Sequence, residues 1–318
     1  MIHVIANGAG ASFADGDARD AFTAAVTRVL PQAGVTITEA GADIGALVAG
    51  LVRQGAAVVA AAGGDGTVNA VASALVDTDT ALGVIPIGTL NHFAKDVGLP
   101  LDTDAALAVL ATGRATLVDV GQVNGRIFVN NSGLGLYPEM VFNREQRQKQ
   151  GASKWRAAFI ESVRAFVRYR RLRLDIDVAG QQRHRHTPAV FVGNNEYSLD
   201  GALAAERRSL VGGHLCLYVA HPENRIKLAW LALRALVGNP RADHEFDKVI
   251  SPAFTIRSRH RRLRVSLDGE VTTLAPPLAY RSRPLSLRVM VPEVPEAPEG
   301  PEDPEVRDAS SADSRTGG

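Results

Sequence analysis

The stretch from Ala57 to Leu75 constrains the fold most, because an unbroken apolar run, AVVAAA, meets Gly63-Gly64-Asp65-Gly66-Thr67 and then a helical pattern starting near Val68. An apolar run without alternation is a strand buried on both faces, as in a parallel sheet covered by helices. Glycines at such a junction let the backbone approach a ligand without Cβ hindrance, and the helix that follows offers free N–H groups and a partial positive charge. The junction therefore reads as a phosphate cradle. Asp65 is its carboxylate for a nucleotide-bound magnesium, and Thr67 and Asn69 are hydrogen-bonding partners for phosphate or ribose oxygens. The bland alternative is a glycine-rich turn with Thr67 as helix N-cap. No G-x-x-x-x-G-K-[ST] or G-x-G-x-x-G run occurs, which excludes the common P-loop and Rossmann fingerprints.

Around this junction, β-type runs at 2–6, 35–38, 56–62 and 81–85 alternate with helical segments near 18–30, 44–53 and 68–75. Such alternation implies right-handed crossovers and an α/β domain with a mostly parallel sheet, placed at 1–120. Past Leu117 many short β-like runs follow, interrupted by helical segments near 154–170 and 225–237, so 121–291 reads as a β-rich, sandwich-like domain. From Pro292 a Pro-Glu-x repeat predicts a disordered acidic tail over 292–318. From Val291 onward eight acids face two arginines, so the tail carries about −6 and the remainder about +7 of the net +1. A basic body favours anionic partners. The absence of any apolar run near 18 residues, of a signal-like start and of any cysteine besides Cys216 argues against membrane spans, export and disulfides, and predicts a cytoplasmic protein.

A second loop, Pro86-Ile87-Gly88-Thr89-Leu90-Asn91-His92-Phe93-Ala94-Lys95, follows the strand ending at Ile85. Its Gly-Thr pair is expected beside the first glycine turn, at the carboxyl ends of strands where open α/β sheets bind ligands.

Together, Gly-Gly-Asp-Gly-Thr-x-Asn and Pro-x-Gly-Thr-x-Asn-x-Phe-Ala resemble the catalytic domain of the diacylglycerol kinase and sphingosine kinase superfamily of lipid kinases. The resemblance implies two domains with ATP in the cleft between them, and γ-phosphate transfer to a lipid hydroxyl with ATP and Mg2+ as cofactors. It implies nucleotide contacts at Asn7, Gly8, Ala9, Gly10 and Ala11, at Thr38, at Gly63, Gly64, Asp65, Gly66, Thr67, Val68 and Asn69, and at Thr89. The family's late carboxylate motif appears as Leu267-Asp268-Gly269-Glu270. Glu270 is the favoured base for the lipid hydroxyl, with Asp268 next and otherwise positioning it or binding magnesium. The implied partners are a lipid acceptor and an anionic inner-membrane surface approached from the cytoplasm; a homodimer is allowed, and no nucleic acid is expected.

Three departures stand out. The first loop lacks the family's proline, which predicts a more flexible cradle. His92 stands where aspartate is more common. Val211-Gly212-Gly213 replaces a pair of acids that serves a second, structural magnesium, so that ion is expected to be absent. Weaker candidates are a basic amphipathic helix over 154–173, suited to an anionic lipid surface or to packing on the sandwich, and the cluster Arg257, Arg259, His260, Arg261, Arg262 and Arg264, suited to the same membrane face, to nucleic acid or to a solvated strand face. Arg183-His184-Arg185-His186 reads as a loop. Alternatives are a soluble NAD kinase-like enzyme, which shares a Gly-Gly-Asp-Gly-Thr loop, and a catalytically inactive nucleotide- or membrane-binding protein.

Overall fold

The structure is a computed structural model that describes residues 1–10, 13, 15–135, 171–198, 206–220 and 246–293. Ala11, the expected helices near 154–170 and 225–237, and the acidic tail beyond residue 293 lie outside the described residues.

The chain begins β1 (Ile2–Asn7), α1 (Gly16–Val29), β2 (Gly34–Thr38), α2 (Ile44–Arg53), β3 (Val58–Gly63), α3 (Asp65–Leu75), β4 (Ala81–Pro86), a short α4 (His92–Asp96) and α5 (Thr103–Thr112). Strands β2, β1, β3 and β4 lie side by side and parallel. Both faces of this sheet are covered, which is why β3 is apolar without alternation. Val59 and Ala61 join α2 and α3 residues such as Val48, Leu51, Val71 and Leu75 in one core, while Val58, Ala60 and Ala62 join Phe22, Val26, Leu107 and Leu110 of α1 and α5 in another.

The second lobe comprises β5 (Arg114–Val123), β6 (Arg126–Phe128), β7 (Asn131–Gly135), β8 (Leu172–Val178), β9 (Gln181–Thr187), β10 (Ala189–Asn194), β11 (Tyr197–Ser198), β12 (Glu206–Arg207), β13 (Leu215–Ala220), β14 (Phe246–Ser251), β15 (Ala253–Ser258), β16 (Leu263–Leu267), β17 (Glu270–Leu274) and β18 (Leu278–Val291). One sheet, in the order β14-β13-β10-β7-β16-β17, is antiparallel throughout and packs on β8, β15 and the start of β18. Leu134, Val192, Leu217 and Val265 meet Leu174, Ile256, Phe254 and Tyr280 in the sandwich core.

Strand β18 joins the lobes. Its first part pairs with β15, its end lies parallel to β4 at Val289 and Leu82, and β5 runs antiparallel along it. The register shifts between Arg283 and Leu287, where Leu285 has φ 48°. A bulge bends and twists a strand locally, so one strand serves both a sandwich face and a parallel sheet.

Two sequence expectations are corrected here. Residues 183–186 form part of β9, paired with β8 from Leu172–Thr187 to Val178–Gln181. This edge strand has no apolar alternation to reveal it; its polar side chains find partners across the strand, as His184 Nδ1 does with Asp175 Oδ1 at 2.6 Å. Helix α3 starts at Asp65, and its N-cap is Gly64 rather than Thr67.

Candidate active site

Three of the five helix starts described carry a side-chain cap, and α3 and the short α4 do not. Asp15, Asp43 and Asp102 each cap a helix with a carboxylate that accepts from the third residue onward, at Ala18 N, Ala46 N and Ala105 N. Helix α3 has no side-chain cap. Its first helical bond runs from Val68 N to Gly64 O, so the amides of residues 65–67 precede the intrahelical ladder at the positive end of the helix dipole.

Packing around that start leaves no room for a side chain at Gly63 or at Gly88. A Cβ on Gly63 would lie 2.6 Å from Thr67 Oγ1, and one on Gly88 would lie 2.5 Å from the Gly64 Cα. The two glycine loops are thus pressed together. Asn91, at φ 50°, braces the second loop by donating from Nδ2 to Gly88 O at 2.7 Å. Asp65 accepts from Phe93 N at 3.4 Å, which ties the first loop to α4. Thr89 and His92 are exposed on the second loop and at the start of α4.

The first loop lies beside both. Asn7 Nδ2 donates to Thr67 Oγ1 at 3.3 Å, its Oδ1 accepts from Ala9 N at 3.1 Å, and its carbonyl accepts from Gly10 N at 3.0 Å. Gly8 packs on β2, where a Cβ would meet Thr38 O at 2.5 Å. The Thr38 hydroxyl donates to Ala6 O at 3.2 Å and is buried. Val68 brings no group to the cradle, since its side chain is in the core and its amide closes the first helical turn.

The late carboxylates arrive from the other lobe, on the turn between β16 and β17. A Cβ on Gly66 would stand 2.2 Å from Glu270 Oε1, so the exposed Glu270 carboxylate lies directly over the start of α3. Asp268, at φ 48° and only 8% exposed, is held differently. Its Oδ1 accepts from Asn130 N and Asn131 N at 2.8 and 2.9 Å, and its Oδ2 from Val129 N at 2.7 Å and Asn69 Nδ2 at 2.5 Å. Burial pushes the Asp268 carboxyl above its ordinary value, and the four donors oppose that rise. Every acceptor direction of the two oxygens is filled by an N–H, which leaves no place for a proton and keeps the group a carboxylate. Asn69 also donates to Ile127 O at 3.2 Å, so α3, β6 and the Asp268 turn are joined through one side chain.

Sequence reasoning missed the partners of these residues. Arg19 braces the first loop by donating to Gly8 O at 3.3 Å and Phe13 O at 3.2 Å. The amides of residues 129–131 carry no side-chain signal, and Arg207, with Asp96, belongs to no motif. At the third departure, Gly213 N donates to the fully buried Asp119 Oδ2 at 2.6 Å. Among the described residues no group of three or more His, Cys, Asp or Glu side chains forms a metal cage.

Two family models match the chain, the diacylglycerol kinase catalytic domain over residues 1–123 and the YegS C-terminal NAD kinase beta sandwich-like domain over residues 140–291. The probable lipid kinase YegS of Escherichia fergusonii is 30% identical over 230 residues, covering 69% of this chain and 73% of that protein. The chain belongs to the diacylglycerol kinase/YegS-like lipid kinase superfamily. YegS of Escherichia coli strain SMS-3-5 is 29% identical over the same length. Among solved structures, a diacylglycerol kinase and a putative diacylglycerol kinase from Bacillus anthracis str. Sterne superpose with TM-scores of 0.68 and 0.71 at 20% and 21% identity, each covering 91% of this chain and 96% of the other. At that identity they establish the superfamily's two-lobed fold, an α/β lobe and an antiparallel sandwich.

Proposed function

We propose that the protein is an ATP- and magnesium-dependent kinase that moves the γ-phosphate to a lipid hydroxyl at an anionic membrane face. The observation that carries this reading is a carboxylate from one lobe, Glu270, standing over the uncapped helix start of the other at Gly66. The amides of residues 65–67, backed by glycines that keep Cβ atoms away, suit phosphate oxygens. Magnesium arriving with a nucleotide needs only one or two protein carboxylates, which Asp65 meets, and it would supply charge neutralisation. Glu270 accepts the proton of the acceptor hydroxyl as that oxygen bonds to the γ-phosphorus. The bond from γ-phosphorus to the bridging oxygen breaks and ADP leaves. Asp268, with its acceptor positions filled, sets the place of the turn that carries Glu270.

Labelled ATP, magnesium and a panel of diacylglycerol, monoacylglycerol, sphingoid base, ceramide and phosphatidylglycerol in anionic mixed micelles tests the proposal, with NAD as a soluble acceptor. One labelled lipid names the acceptor. Label on NAD alone makes the enzyme a soluble kinase, and ATP binding without transfer makes it a nucleotide-binding protein.

The membrane side of the proposal draws on Arg257, Arg259, Arg261 and Arg262, which are exposed and make no ion pair with a described residue. The five residues of β16 separate the loop at 259–262, which crosses from β15 in one sheet to β16 in the other, from the Asp268–Glu270 turn, about 17 Å at roughly 3.3 Å per residue. The loop therefore suits anchoring rather than admission of the acceptor. With about 1 kcal/mol per basic residue near an anionic surface, replacing Arg259, Arg261 and Arg262 by alanine is expected to weaken partition to phosphatidylglycerol vesicles roughly 100-fold at low salt. Co-sedimentation checks this, and unchanged partition removes the loop from the interface.

A further inference from the structure

We infer that Arg207 and Asp96 are positioning residues that lock the carboxylate turn of one lobe to the nucleotide loops of the other, an inference that rests on the kinase reading. The Arg207 side chain is 1% exposed and the Asp96 side chain 17%. Arg207 donates from Nε and Nη2 to Asp96 Oδ2 at 3.0 and 2.6 Å, from Nη1 to Val129 O at 2.8 Å and from Nη2 to Asn130 Oδ1 at 2.7 Å. Its guanidinium also lies 5.6 Å from the centre of the Tyr197 ring.

The placement of those bonds carries the argument. Val129 and Asn130 present their amides to Asp268 and, from the same short segment, the Val129 carbonyl and the Asn130 side chain to Arg207. The segment is therefore gripped by a buried carboxylate on one side and a buried guanidinium on the other. Asp96 closes α4, and the second residue of α4, Phe93, donates its amide to Asp65. A continuous path of hydrogen bonds and short backbone segments thus runs from Asp65 through α4, Asp96, Arg207 and residues 129–130 to Asp268, two residues before Glu270. A buried ion pair contributes little net stability after desolvation, whereas its fixed fork geometry holds both partners in register. Stability alone is thus a weak account of this pair. Register across the lobes is what it supplies, and a displacement near 1 Å of a reacting group costs about 100-fold in rate.

The test uses the full chain with Asp96→Asn, Asp96→Glu and Arg207→Lys, read by kcat, the KM for ATP and amide hydrogen exchange. Asp96→Asn is expected to lower kcat for the labelled lipid by about 10- to 100-fold with the ATP KM within about twofold. It should also speed exchange at the amides of residues 129–131, and Asp96→Glu should restore most of the lost kcat. Arg207→Lys, which keeps the charge without the fork, should resemble Asp96→Asn. Exchange at wild-type rates across 129–131 in both variants overturns the inference, as does a fall in kcat accompanied by an equal rise in KM. If wild type labels no lipid, the kinase reading fails, and the exchange measurement still decides whether the pair holds the turn.

Discussion

Glu270→Gln is expected to lower kcat for lipid phosphorylation by about 10²- to 10⁴-fold, the usual contribution of a general base, with the ATP KM within about threefold. Glutamine keeps the size of the side chain and removes its ability to accept a proton. Glu270 is exposed, and its carboxylate stands at Gly66 over the helix start rather than within a packed core. Initial rates in mixed micelles with labelled ATP check this. A variant that keeps more than about a tenth of the wild-type kcat, against the 10²-fold minimum expected of a base, would exclude Glu270 from that role.

The second large effect is on stability. Asp268→Asn is expected to destabilise the protein by about 2–5 kcal/mol, because removing the acceptor of a buried charged network leaves donors unpaired. Its two oxygens each face two N–H groups, Asn130 and Asn131 on one side and Val129 and Asn69 on the other. Either orientation of an asparagine amide turns its own NH2 toward two donors. Asparagine tolerates the left-handed backbone that Asp268 adopts, so the substitution isolates the side-chain effect. Urea unfolding followed by circular dichroism measures it. A change below about 0.5 kcal/mol, the ordinary range for surface substitutions, would mean that the four bonds do not hold the turn.

These two carboxylates lie two residues apart in one motif, yet the structure separates their chemistry. In sequence both were candidates for the base, with Glu270 favoured. The contrast that separates them further is one of partners: Asp268 is enclosed by backbone amides more than 130 residues away in the chain, whereas Glu270 reaches across to the other lobe. No pattern marks residues 129–131 as donors, since a backbone N–H carries no side-chain identity. Arg207 and Asp96 stayed hidden for a related reason. An ion pair whose members stand 111 positions apart has no spacing to read, and each residue alone looks like a surface charge.

What the sequence by itself determined was local. The apolar run entering Gly63-Gly64-Asp65-Gly66-Thr67 specifies a buried strand, a tight turn and a helix start, because chain stiffness, glycine freedom and burial on two faces act over a few residues. The alternation of strands and helices, followed by many short strands, likewise specifies an α/β lobe and a β-rich lobe. Tertiary structure decided the rest. It ran β18 through both lobes with a bulge at Leu285, paired the polar β9 as an edge strand, and brought Glu270 over Gly66. The course of β18 and the place of Glu270 depend on which surfaces meet after the chain has folded back over 100 or more residues, whereas β9 pairs with its neighbour β8 and needs the sheet only to receive it. The free energies that choose them, burial of shared faces and satisfaction of buried polar groups, are summed over the whole molecule and written at no single position.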